Sequence, residues 1–256
     1  MPNAARIEDF ANAHELPIPS SLSKIIARDK PIIGYYGALA EWVDLGLIQQ
    51  LAKEHPEWDF VIIGKSWVDI SAIENIENIY YLGPVPYAEL PALAQIFDVA
   101  IIPFVINELT DCVSPIKLFE FCALRLPIVT TPFYEVTQYK ETFIKFASKA
   151  DEFSRAIQEC LTEEIRTAAR VAALEFAQQH QWSSRTSLVE KLVEHRLSGL
   201  KCFSNYLPHP YIAALTGTFF HFDGQDFYGG GAERYIIDLH AVLSKMGARL
   251  VTYQYG

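Results

Sequence analysis

The chain of 256 residues is short of basic side chains: 21 Lys and Arg stand against 31 Asp and Glu, giving a formal net charge of −10 and a pI near 5.2. General affinity for nucleic acid needs a basic face and an anionic membrane surface asks for the same, so both partner classes are disfavoured. The four cysteines, at 112, 122, 160 and 202, include no CxxC spacing and read as reduced thiols. Seven histidines (14, 55, 180, 195, 209, 221 and 240) form no HxxxH pair, so no metal site of sequence-local ligands is expected. No apolar run reaches membrane length and no signal-peptide pattern is found. GxSxG and GxxxxGK[ST] are missing too, which removes the best support for hydrolase and P-loop readings. The expected address is cytoplasmic, with a peripheral membrane position left open.

What remains is an ordinary globular composition, 50% hydrophobic, enough for a sizeable core in one or two domains. Residues 1–30 are polar, contain prolines and sustain no period, so they read as a connector. From Lys30 the pattern alternates. PIIGYYG, DFVIIG and NIYYLG read as strands, with VDLGLIQQLAKE as an amphipathic helix between the first two. A turn at Gly83 and Pro84, a helix near Tyr87 and a strand from Asp98 continue the alternation, and FIKFAS supplies a final strand. This is the signature of a parallel sheet with helices on both faces. Residues 150–200 read as successive helices that close a domain spanning 31–200.

Composition shifts again at 201–215, which reads as a second linker. In 216–256, TGTFFHFD is expected to be a strand, the run at Gly229, Gly230 and Gly231 a turn, YIIDLHAVLSKMG a helix and ARLVTYQ a strand. The three glycines do not make GxGxxG, so a nicotinamide site is weakly supported. About 56 residues are too few for a second complete Rossmann half, which takes on the order of 150. The expectation is an incomplete βαβ extension, and its unpartnered helix face and sheet edge invite docking or self-association.

Residues 112–131, CVSPIKLFEFCALRLPIVTT, organise the rest: a loop, a short helix, a tight turn and a buried strand. Ser114 reads as the N-cap and Pro115 as the first helical residue. The helix is apolar nearly all round, except that Lys117 and Glu120, three apart, share a face. A carboxylate on a mostly buried helix needs a partner, since desolvation costs several kcal/mol. Two readings answer this. Either Lys117 and Glu120 pair with each other at a solvated edge, or the open amides of residues 114–117 face a phosphate while Glu120 accepts hydrogen bonds from a ribose diol. Gly37 ends the first strand, where an open α/β sheet places its ligands. Glu108 and Asp111 lie on a loop that leaves another strand at that same end.

SPIKLFEFCALRLPIVTTP resembles the donor-site helix of GT-B glycosyltransferases of the group 1, family 4-like kind. The similarity extends through YLGPVPYAELPALAQIFDVAIIPFVINELTDCVSP and KPIIGYYGALAEWVDLGLIQQLA and covers about two thirds of the chain. GGGAERYIIDLHAVLSKMGARLVTYQ is similar to the opening of a GT-B acceptor domain. The resemblance implies a Rossmann-like, doubly wound donor domain followed by the start of a second glycosyltransferase unit. It also implies hexosyl transfer from a nucleotide-diphosphate sugar to a hydroxyl acceptor, as in polysaccharide biosynthesis, with no metal and no cofactor besides the donor.

On that resemblance Gly37 borders the diphosphate, Gly83, Val85 and Tyr87 receive the base, and Glu108 and Asp111 face the sugar. Ser114, Pro115 and Ile116 offer amides to the phosphates, Lys117 adds charge, and Glu120 orients the ribose. Lys117 and Glu120 are the catalytic candidates. Many relatives carry Glu-x7-Glu, but here Cys112 stands eight positions before Glu120. Alternatives are a noncatalytic nucleotide-sugar-binding or interaction module, and a sugar-nucleotide epimerase of the same fold. The missing acceptor domain would be supplied in cis or in trans, and the isolated chain is expected to turn over weakly or not at all.

Overall fold

The computed structural model describes residues 3–198, 211–216 and 249–254, with side chains described as far as residue 191. One compact unit runs over Ile7–Gln178, and a second gathers Asn3–Arg6 with the chain from Gln179 onward.

The first unit begins with two one-turn helices, α1 (Glu8–Ala11) and α2 (Ser23–Ile26). The segment that reads as a polar connector therefore carries short helical turns, and it contributes Phe10, Leu22 and Ile25 to the core. Its apolar residues, Ile7, Phe10, Leu22 and Ile25 among them, are irregularly spaced between polar ones and prolines and leave no period to detect. Arg28 then pins the segment to the sheet. Its Nε lies 3.1 Å from the carboxylate of Asp59, which is wholly buried at the start of a strand. Burial pushes the Asp59 carboxyl up against the pull of that guanidinium.

Then the alternation sets in: β1 (Ile32–Tyr36), α3 (Leu45–Glu54), β2 (Asp59–Ile63), α4 (Ser71–Glu74), β3 (Ile79–Gly83), α5 (Leu90–Ala94), β4 (Val99–Ile102), α6 (Glu108–Asp111), α7 (Ile116–Ala123), β5 (Ile128–Thr130), β6 (Ile144–Phe146), α8 (Ala150–Cys160) and α9 (Glu163–Gln179). The strands form one sheet of six, ordered β3-β2-β1-β4-β5-β6, and every pairing is parallel. β1, β2, β4 and β5 are buried at every residue, as strands covered on both faces must be. This is the Rossmann-like, doubly wound arrangement that the alternation predicts.

Helix α3 starts where Asp44 accepts the Leu47 amide at 2.8 Å, and it buries Leu47, Ile48 and Leu51. Gly34 in the middle of β1 lets the ring of Phe97 lie against the strand, for a Cβ there would fall inside that ring. Strand order reverses between β1 and β4, and their loops leave the sheet side by side. An antiparallel bridge joins Val43 to Phe104, with bonds from the Asp44 amide to the Pro103 carbonyl and from the Val105 amide to the Trp42 carbonyl, at 2.8 and 2.9 Å.

In the second unit, α10 (Trp182–Ser198) is followed by a parallel pair, β7 (Tyr211–Thr216) and β8 (Arg249–Gln254). β7 falls at the end of the stretch read as a linker, because the β-branched and aromatic residues of YIAALT outweigh the neighbouring prolines there. Apart from Thr216, the strand expected over TGTFFHFD lies outside the described residues. ARLVTYQ is the strand expected, and the glycine turn and helix expected between them lie outside the described residues.

Candidate functional site

Gly37 follows β1 at φ +137°, a region that L side chains rarely enter. Its place is tight as well: a Cβ there would stand 2.6 Å from the Lys117 Nζ and 3.2 Å from the Tyr35 hydroxyl. Gly64, after β2, has φ +142°, and its Cβ would overlap the Gly37 carbonyl oxygen. Amide bonds tie these turns together, Gly37 to the Ile63 carbonyl at 2.9 Å and Gly64 to the Gly83 carbonyl at 2.8 Å. The C-terminal ends of three adjacent strands thus form one rim of close-packed backbone, beside which α7 begins.

The start of α7 is one residue later than the sequence suggests. Pro115, in extended conformation (φ −76°, ψ 116°), is the N-cap and Ile116 the first helical residue, so Ser114 does not cap the helix. The fixed φ of proline suits the cap as well as the first helical position, and here its extended ψ makes the ring the cap, so the helix begins only after it. The Ser114 hydroxyl instead lies 3.4 Å from the carboxylate of Glu135, which also accepts from the Tyr139 hydroxyl at 3.0 Å.

Lys117 and Glu120 are one turn apart on α7 and engage the two tyrosines that end β1. Successive strand residues point to opposite faces, so the two tyrosines part company. The Lys117 Nζ donates to the Tyr35 hydroxyl at 3.0 Å and sits over the rings of Tyr35 and Phe104, at 4.5 and 4.8 Å. Burial pulls its pKa down to about 7, partly opposed by the Glu120 carboxylate. Glu120, only 4% exposed, accepts from the Tyr36 hydroxyl at 3.0 Å and from the Tyr87 hydroxyl at 2.6 Å. Burial, then the Glu120 carboxylate, drives the Tyr36 pKa well above that of a free phenol. Phe10 braces both tyrosines, stacked on Tyr36 at 6.2 Å and edge-on to Tyr87 at 5.7 Å.

The mutual ion pair between Lys117 and Glu120 is therefore replaced by separate contacts to three tyrosines. Chemically, the site offers an ammonium that titrates near neutrality, helix amides at 116 and 117, and a buried carboxylate closed over by a partly exposed tyrosine. Tyr35 and Tyr36 carry no functional signal in the sequence, because aromatic residues in a buried strand read simply as strand formers; Phe10 on α1 and Phe104 just past β4 read as ordinary core residues.

The other sequence candidates fall around this centre. Gly83 (φ +70°) ends β3, with half-buried Val85 and Tyr87 on the loop beyond it. Glu108 and Asp111 are exposed on α6, which Asn107 and Thr110 close with a reciprocal capping box. The Asp111 carboxylate accepts the Tyr134 amide at 3.3 Å, and Cys112 is exposed beside it. Among the described residues no three His, Cys, Asp or Glu side chains gather to hold a metal ion, and no helix is long and apolar enough to cross a membrane.

Comparison with known proteins places this geometry. The family model "Glycosyl transferases group 1" matches residues 30–163, slightly more than half of the chain. Over 146 residues the chain is 26% identical to the "Putative teichuronic acid biosynthesis glycosyltransferase TuaH" of Bacillus subtilis (strain 168), covering 56% of this chain and 36% of that one. Among solved structures, Anabaena Alr3699/HepE in complex with UDP and glucose superposes with a TM-score of 0.56 at 17% identity, over 75% of this chain and 55% of that one. Sucrose-phosphate synthase from Thermosynechococcus elongatus gives 0.60 at 15% identity, over 77% and 52%. The chain thus spans about a third of the curated relative and about half of the solved ones. The latter two likenesses concern the fold alone, which is the Rossmann-like one of a GT-B domain. With its family model matched from the first strand through α8, the chain belongs to the glycosyl transferases of group 1.

Proposed function

We propose that this chain binds a nucleotide-diphosphate sugar at the rim built by Gly37, Gly64 and the start of α7, for transfer of a hexosyl group to a hydroxyl acceptor. The observation that carries the reading is Lys117, held half-buried at the strand-order reversal, against the glycine that ends β1, with a pKa near 7. An amine poised there gains full charge when a phosphate arrives, and with the amides of α7 it stabilises negative charge growing on a departing diphosphate. Glu120 positions the ribose, through the Tyr87 hydroxyl or after that ring turns aside. Gly83, Val85 and Tyr87 border the base, while Glu108 and Asp111 stand toward the sugar. The relatives that contain UDP or are named for teichuronic acid synthesis support a nucleotide sugar as donor and a glycan as acceptor. The reading calls on no cofactor besides the donor, puts the chain in the cytoplasm, and has an acceptor domain in cis or in trans complete the cleft.

Isothermal titration of the chain with UDP, GDP, ADP and their glucose conjugates tests this. At least one is expected to bind, with affinity falling at least tenfold in Lys117→Ala, about 1.4 kcal/mol. If none binds, or if Lys117→Ala leaves the affinity unchanged, the assignment is wrong.

A further inference from the structure

At the opposite ends of the strands from Lys117 there is a groove of about 430 Å³. It is lined by the turns that lead into β4 and β5, by α1 and the residues after it, and by α9. Its charged lining is Arg125, Arg166 and Arg170 against the single carboxylate of Asp98, with His14 at its edge. In a chain of net charge −10, that is a local excess of cations. Asp98 is already engaged, accepting the Ile32 amide at 2.9 Å and Arg166 at 2.8 Å. Glu15 lies 4.0 Å from the imidazole of His14. Among the described residues Arg125 and Arg170 have no carboxylate partner.

Arg125 is also in the wrong conformation for its type. It follows α7 at φ +62°, and its amide bonds to the Cys122 carbonyl while the Leu126 amide bonds to the Phe121 carbonyl, at 3.0 and 3.2 Å. This is a Schellman ending, in which the left-handed position ordinarily goes to glycine. A cation at a helix C-terminus is favourable in itself. That does not account for the Arg125 Nε, which is buried with no hydrogen-bond acceptor. A buried donor without a partner, on a strained residue lining a cationic groove, is what a site for an anion requires.

We propose that this groove is a second anion site, separate from the rim at Lys117, and that it takes a phosphate- or diphosphate-bearing small molecule through Arg125 and Arg170. Guanidinium forks match phosphate oxygens, and two of the three here are uncommitted.

The test is calorimetric titration of the full chain with inorganic pyrophosphate, in wild type and in Lys117→Met, Arg125→Gly and Arg170→Ala. Glycine suits the left-handed position, so Arg125→Gly is expected to keep or raise the melting temperature while weakening pyrophosphate at least tenfold in the Lys117→Met background. Arg170→Ala, on an exposed helix face, is expected to weaken it likewise. A parallel sedimentation with phosphatidylglycerol vesicles distinguishes a free phosphate from a lipid headgroup: retention that depends on both arginines assigns the groove to the headgroup. The proposal is overturned if pyrophosphate and vesicles both fail to bind, or if binding is indifferent to Arg125 and Arg170.

Discussion

Lys117 joins stability, pH and binding in one side chain. Its pKa falls from 10.5 in the unfolded chain to about 7 in the folded one, so between those values the unfolded chain holds more protons. Stability from this group therefore rises with pH from about 7 to about 10.5 and is flat below. Relative to wild type, Lys117→Met is expected to lose that rise, as urea unfolding at pH 6.5 and 9.5 would register. The same shift predicts that a phosphate ligand raises the Lys117 pKa and takes up a proton. Titrations at pH 8 in buffers of different ionisation enthalpy should then show uptake approaching one proton, and little at pH 6. Glu120→Ala leaves the buried Tyr36 hydroxyl without its acceptor and should cost about 1–3 kcal/mol, whereas Tyr87, partly exposed, can turn to water. Glu120→Gln keeps an acceptor and should cost less in the same denaturation experiment. That Lys117 and Glu120 act from one helical face is legible in their spacing. Where they reach is not, because Tyr35 and Tyr36 meet them across more than 80 residues of sequence, and no local pattern encodes that encounter.

At the scale of elements the two glycines after β1 and β2 matter most. Gly64→Ala would put a methyl onto the Gly37 carbonyl at a backbone angle alanine resists, and should cost about 3 kcal/mol or more. Gly37→Ala meets only the flexible end of Lys117 and the Tyr35 hydroxyl, but its backbone angle is strained for alanine too, so it should cost about 1–3 kcal/mol in denaturation, less than Gly64→Ala, and weaken ligand affinity as well. Strands and long helices are legible because buried runs and 3.6-residue periods are local signals. The short helical turns before β1 are not, since four-residue elements draw their stability from the core they touch rather than from their own sequence. The entry of α7 differs from its sequence expectation by one residue because Pro115 suits the first helical turn and the cap almost equally.

For the whole molecule, parallel pairing and alternating helices limit the topology to a doubly wound sheet, and the strand order β3-β2-β1-β4-β5-β6 is the arrangement that right-handed crossovers favour. The division at Gln178 predicts that residues 7–179 fold alone, with a single cooperative unfolding transition at a midpoint near that of the full chain. Loss of cooperativity in that fragment would show that the sheet depends on the chain beyond α9.

Helix α7 is eight residues long, about 12 Å, with Lys117 in its first turn and Arg125 just beyond its last. If an occupant of either site tilts so short a rod, the other end moves with it. Thermodynamic reciprocity then fixes the bargain: the factor by which a groove occupant alters donor affinity equals the factor by which donor alters the groove's.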